Sequence, residues 1–219
     1  MTIQVMPLPP YVMEGARHGI ACDIIERAMA NQGIKIKFSY TNYKRMEMEV
    51  VQGIADGAFA GIPTDNQQVY FSEPVIEFRN IAVTLRDQPF AIDKLEDLSN
   101  KHVISFRHAT RILGKDFALA VKNAASYFEV ADQRSQLPML NAQRGNVTVL
   151  DFRAFVFYAN ILHGKEHSQI LYKQYAIFKP VIGQMAFKKM EVRDQFNRGL
   201  KSLLQSGEYA AIINNYLDD

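Results

Sequence analysis

Two histidines, His163 and His167, stand four positions apart, a spacing that puts two imidazoles on one helix face and could ligate a transition metal. Gly164 interrupts that helix and no third ligand is near in sequence, so the pair reads as a solvated loop and no metal is expected. Cys22 lies beside Asp23 near a helix start, where a thiolate can be stabilised. It reads instead as a small, partly buried residue, and as the only cysteine it excludes a disulfide framework. Glu73 and Glu77 are candidate acids, but no pair of groups stands out to divide acid and base roles. Asp151 follows an apolar strand and would begin a helix, where aspartate is a good N-cap. The glycine patterns that cradle phosphates and the nucleophile elbow Gly-x-Ser-x-Gly are absent. No cofactor is expected.

The elements that hold these residues follow from periodicity. Residues 3–6 and 35–40 read as strands, with a helix between them after Gly19 that carries Ile20, Ile24, Ile25, Ala28 and Met29. Asn42 can cap a second helix with Tyr43, Met46 and Val50, and residues 55–60 form a small buried strand. A second series follows: strands at 81–85, 103–106, 127–131 and 147–150, and helices at 110–121, 133–143 and 152–162. Short strands at 176–178 and 185–187 lead to an amphipathic helix ended by Gly207 and a last helix to Tyr216. Two α/β series and a helical tail imply layered sheets with parallel pairing.

The chain has 219 residues, with 25 basic and 23 acidic side chains, 48% hydrophobic and 22% charged residues. That length suits one or two domains. The hydrophobic content excludes a disordered chain. The mixed, near-neutral charge argues against bulk nucleic-acid binding, and no apolar run is long enough to span a membrane. The first ten residues do not read as a signal peptide, so the chain is expected either to be cytoplasmic or to start after a removed signal.

Six short motifs, in order, carry a resemblance. They are Pro9-Pro10-Tyr11, Gly19 through Asp23, Gly53-Ile54-Ala55-Asp56, Phe71-Ser72-Glu73-Pro74, Leu95-Glu96-Asp97-Leu98, and Gly207-Glu208-Tyr209 with Ile212 and Tyr216. With them the chain resembles the bacterial extracellular solute-binding proteins of the amino-acid type, family 3, from about Val5 to Tyr216. The resemblance implies an α/β, two-lobed type II periplasmic-binding-protein clamp. Each lobe would be a mostly parallel sheet flanked by helices, joined by two hinge crossings. Lobe one would be residues 1–83 and 183–219, and lobe two residues 84–182. A ligand would bind in the cleft between them.

The resemblance also implies the contacts. Tyr11 and Tyr43 match aromatic positions against the ligand, Asp151 matches a carboxylate that takes an α-ammonium group, and Thr110 matches a turn that holds a carboxylate. Gly61 heads a loop that in amino-acid binders carries an arginine for the α-carboxylate. Here that loop, residues 61–68, is short and has no arginine, while Arg107-His108 stand at the second-lobe turn. Anion recognition is therefore expected to have moved to Arg107. The implied function is extracytoplasmic, periplasmic binding of a small polar solute, an amino acid or a related compound, by a monomer that serves a membrane ABC-transporter permease. The alternatives are the ligand-sensing domain of a receptor kinase, coupled to its own kinase module, and a cyclohexadienyl-dehydratase-like enzyme.

Overall fold

A computed structural model describes residues 1–15, 18–59, 68–165 and 170–217, without the side chains of Tyr43, Lys44, Glu47 and Leu217. The chain divides into two compact units, Met1–Glu77 with Ile182–Asp219, and Phe78–Val181.

The first unit is built on strands β1 (Thr2–Val5), β2 (Lys37–Tyr40) and β3 (Gly57–Phe59), with helices α1 (Ile20–Ala30) and α2 (Tyr43–Val51) between them. β1 lies between β2 and β3 and is parallel to both. The sheet continues past β3 with Met185–Phe187 and Tyr70–Phe71, each joined antiparallel to its neighbour. The stripe expected after Gly19 is buried along α1, and Asn42 caps α2 by accepting the Arg45 N–H. The tail forms two helices, Met190–Ser206 and Glu208–Leu217, and the first buries Phe196, Gly199, Leu200 and Leu203. The Phe196 ring lies 5.4 Å from that of Phe187.

The second unit holds a five-stranded mixed sheet. Its strands, in chain order, are β6 (Asn80–Leu85), β7 (His102–Phe106), β8 (Ser126–Val130), β9 (Val147–Asp151) and β10 (Tyr172–Tyr175), numbered after β4 (Tyr70–Phe71) and β5 (Ile76–Phe78). β7 is parallel to both β8 and β9, and β6 is antiparallel to β9 and β10. Both faces of β6, β7 and β9 are covered, which explains their near-continuous apolar runs. Ile81, Val83 and Leu150 pack with Leu137, Leu140, Ala154 and Phe155, while Ala82, Val103 and Val149 pack with Leu98, Phe117 and Val121. β6 belongs whole to this sheet, so the division at Glu77–Phe78 falls upstream of the boundary after Val83 read from the sequence.

Three local expectations change. The single helix over residues 110–121 is two: α3 (Ala109–Ile112) and α4 (Gly114–Lys122), broken where Gly114 takes a φ of +88°. The strand expected at residues 176–178 is not formed. The strand is instead β10, whose central residues, Lys173 and Gln174, are polar. The helix expected over residues 133–143 is a 3-10 turn, Gln133–Ser135, followed by helix α5 (Gln136–Asn141), which holds Pro138 in its first turn, where an N–H has no intrahelical partner.

Candidate functional site

Parallel strands aim their carboxyl ends at one edge of a sheet, and ligands of open α/β sheets bind beyond that edge. In the first unit, β1, β2 and β3 end at Val5, Tyr40 and Phe59, and the candidates Tyr11, Tyr43 and Gly61 each follow one of them. Tyr43 opens α2, its side chain being outside the described set, and Gly61 lies outside the described residues.

Tyr11 is 1% exposed. Its loop is pinned to the start of α1: Ile20 and Ala21 donate to the carbonyls of Pro10 and Tyr11 at 3.0 and 2.9 Å. Gly19 permits this approach, since its φ is +97° and a Cβ there would lie 2.6 Å from the Tyr11 carbonyl carbon and oxygen. The Tyr216 hydroxyl accepts the Gly19 N–H at 3.1 Å and donates to Asp23 at 2.6 Å. Tyr40 donates to the Met13 carbonyl at 2.7 Å. Three of the six motifs thus form one knot. Gln4, on β1 one residue before the edge, is a buried amide whose Oε1 has no hydrogen-bond partner among the described residues. Sequence reasoning passed over it because glutamine in a short strand reads as a surface residue.

In the second unit, β7, β8 and β9 end together, because Ser105 pairs with Val149 and Phe106 with Val130. That edge gathers Arg107, Thr110 and Asp151. Asp151 is 7% exposed and caps helix α6 (Phe152–His163). One carboxylate oxygen accepts the N–H groups of Arg153 and Ala154 at 2.9 and 3.1 Å, and the other accepts the Arg79 N–H at 2.9 Å. Arg107 and His108 are exposed, and His108 sits in the left-handed region with a φ of 65°.

Thr110 is already engaged. Its N–H and hydroxyl donate to Oε1 of Glu129 at 3.3 and 3.5 Å, while the His108 N–H donates to Oε2 at 2.6 Å. Tyr127 adds a hydroxyl donor to Oε1 at 2.7 Å. Burial raises the Glu129 carboxyl, but the Tyr127 hydroxyl, the two N–H groups and the nearby His108 outweigh it, so it lies below the usual carboxylate range. Glu129 therefore stays ionised at neutral pH. The Tyr127 hydroxyl is pushed up, by burial first and then by Glu129. Glu129 was missed in the sequence because nothing local marks it; its role depends on the register of β8 against β7.

Two other residues singled out in the sequence, Cys22 and His163, are held within the scaffold. Burial first, then Asp23 and Glu26, push the Cys22 thiol up to about 12, so it is no poised thiolate. His163 lies within 3.0 Å of Asn141 and 2.9 Å of the Tyr172 hydroxyl, and His167 lies outside the described residues. No cluster of three metal-ligating side chains occurs among the described residues. Likewise no helix among them is long and apolar enough to cross a membrane.

A model of the bacterial extracellular solute-binding proteins, family 3, matches residues 2–219. No curated protein matches the chain. Among solved structures, the GluR0 ligand-binding core in complex with L-glutamate is similar at 17% identity and a TM-score of 0.81, over 99% of this chain and 97% of that one. The amino acid ABC transporter substrate-binding protein AbpA from Streptococcus pneumoniae, bound to L-arginine, is similar at 16% identity and a TM-score of 0.74, over 100% and 94%. The ancestral amino-acid-binding protein AncCDT-1, a precursor of cyclohexadienyl dehydratase, is similar at 16% identity and 0.76, over 99% and 95%. The fold is the type II periplasmic-binding-protein fold.

Proposed function

The chain belongs to the bacterial extracellular solute-binding proteins, family 3, and on that premise we propose that it binds a small polar solute outside the cytoplasm and delivers it, unaltered, to an ABC importer. The solute class is an amino acid or a related compound. In this reading the two units are the two lobes, each offering its own carboxyl edge, and the chain works as a monomer. The observation that carries the reading is the edge of β9, β7 and β8. There Arg107 presents an exposed guanidinium with no hydrogen bond or ion pair among the described residues, and the Asp151 carboxylate is fixed at the same edge by three backbone donors. A guanidinium takes a ligand anion through parallel charge-assisted bonds.

A dye-based thermal-shift screen against amino acids, polyamines, small carboxylates and short peptides tests the reading. Ligand at 100 times its dissociation constant stabilises by about 2.7 kcal/mol, which for a chain of this size raises the midpoint by roughly 5 to 10 °C. One chemical class is expected to give that shift. Arg107→Ala is expected to weaken the selected solute by roughly 10- to 100-fold, since a hydrogen bond to a charged group contributes about 1.5–3 kcal/mol. Its own melting point should stay near that of the wild type, because the side chain is exposed. Unchanged affinity in Arg107→Ala would remove Arg107 from the site.

A further inference from the structure

We propose that Glu129 determines specificity at the second unit's carboxyl edge: its own carboxylate fills the backbone donors of the 107–110 turn, so the turn accepts no ligand carboxylate there and offers a ligand anion only Arg107. This deepens the solute-binding reading and rests on it for the identity of the site. The register pairs Ser105 with Glu129, which sets that side chain on the strand adjoining the turn. Both of its oxygens are used, Oε2 by the His108 N–H and Oε1 by the N–H and hydroxyl of Thr110 and the hydroxyl of Tyr127.

These donors converge on a carboxylate that is tethered to the neighbouring strand. A free carboxylate would have to displace it and then sit beside it, and two like charges at that separation repel. The left-handed conformation of His108, uncommon for a residue with a side chain, is held in place by the shortest of these bonds. Arg107, by contrast, projects from the same turn with its guanidinium uncommitted among the described residues. A ligand that needs two separate donor groups for a carboxylate is therefore disfavoured at this edge, and one whose anion is satisfied by a single guanidinium fits.

The test uses acetate, the smallest carboxylate, on the full chain, with the backbone ¹⁵N–H resonances of His108 and Thr110 as the readout. Acetate should leave both resonances of the wild type in place. In Glu129→Ala the vacated donors should bind acetate, and both resonances should titrate at acetate concentrations that leave the wild type unmoved. Glu129→Gln keeps one oxygen for part of the donors but turns an NH₂ toward the rest, so its response to acetate should fall between those of the wild type and Glu129→Ala. Should Glu129→Ala fail to fold, Glu129→Thr, which suits a strand and also lacks the carboxylate, carries the same titration. Acetate shifts of equal size in the wild type would overturn the proposal, as would unmoved resonances in the variant that lacks the carboxylate. Acetate reports on this turn whatever the natural solute is, so a silent solute screen beside a positive acetate result would sink the solute reading alone.

Discussion

Gly199→Ala is expected to destabilise the chain by about 3 kcal/mol or more, at the upper end of what overpacking costs. Gly199 lies in the tail helix Met190–Ser206, where that helix packs on α1. A Cβ there would stand 1.9 Å from the Ala28 carbonyl oxygen and 2.8 Å from its carbon. Both are backbone atoms within helices, so neither can swing aside as a side-chain end could. The two helices must separate, and the buried Phe196, Leu200 and Leu203 on one and Ile24, Ile25 and Ala28 on the other lose packing. On an exposed helix the same change would help by up to about 1 kcal/mol. Here the sign is reversed, and a urea melt should show a lower midpoint. A midpoint equal to or above the wild type would mean that the helices do not meet at Gly199.

Asp151→Ala is expected to cost about 3 kcal/mol and to lower the thermal midpoint by roughly 6 to 12 °C. Loss of a helix N-cap alone costs about 1 kcal/mol. The larger figure follows because the Asp151 carboxylate also accepts the Arg79 N–H, so three backbone donors lose their acceptor in a site that is 7% exposed. Asp151→Asn keeps one oxygen for Arg153 and Ala154 but turns an NH₂ toward the Arg79 N–H, so its midpoint should fall between the other two. Equal midpoints for Asp151→Asn and Asp151→Ala would show that the N-cap bonds contribute nothing measurable. Differential scanning calorimetry of the three proteins makes the comparison.

Much of the scaffold was legible because it is local. The stripe of α1, the Asn42 cap and the Gly207 stop are written in neighbouring residues. The six motifs were legible for a related reason: the described contacts of those residues are scaffold contacts. Asp56 accepts the Thr2 N–H at 2.7 Å. Ser72 accepts the Met185 N–H at 2.9 Å. Asp97 accepts the Asp93 N–H at 2.9 Å, which with the Lys94 N–H and charge holds its carboxyl below the usual range against a smaller opposing effect of burial. Such motifs report the family and leave the solute unspecified.

The site was less legible, and the reason is tertiary. Tyr11 has the right position after β1, but its burial follows from a loop folded onto Gly19, which periodicity does not show. Asp151 was readable as a cap from its place between strand and helix, whereas its bond to Arg79 depends on β6 running antiparallel to β9. Thr110 looked available, and only the β7–β8 register reveals Glu129 on its donors. β10 was hidden by its polar central residues, Lys173 and Gln174, on the outermost strand of the sheet among the described residues.

The most direct test is isothermal titration calorimetry of the solute selected by the thermal screen, into the wild type and into Arg107→Ala. One solute should bind per chain of the wild type, with affinity weaker by at least tenfold in the variant. A flat wild-type titration for every member of the panel would contradict the claim that this chain is a binding protein for small polar solutes.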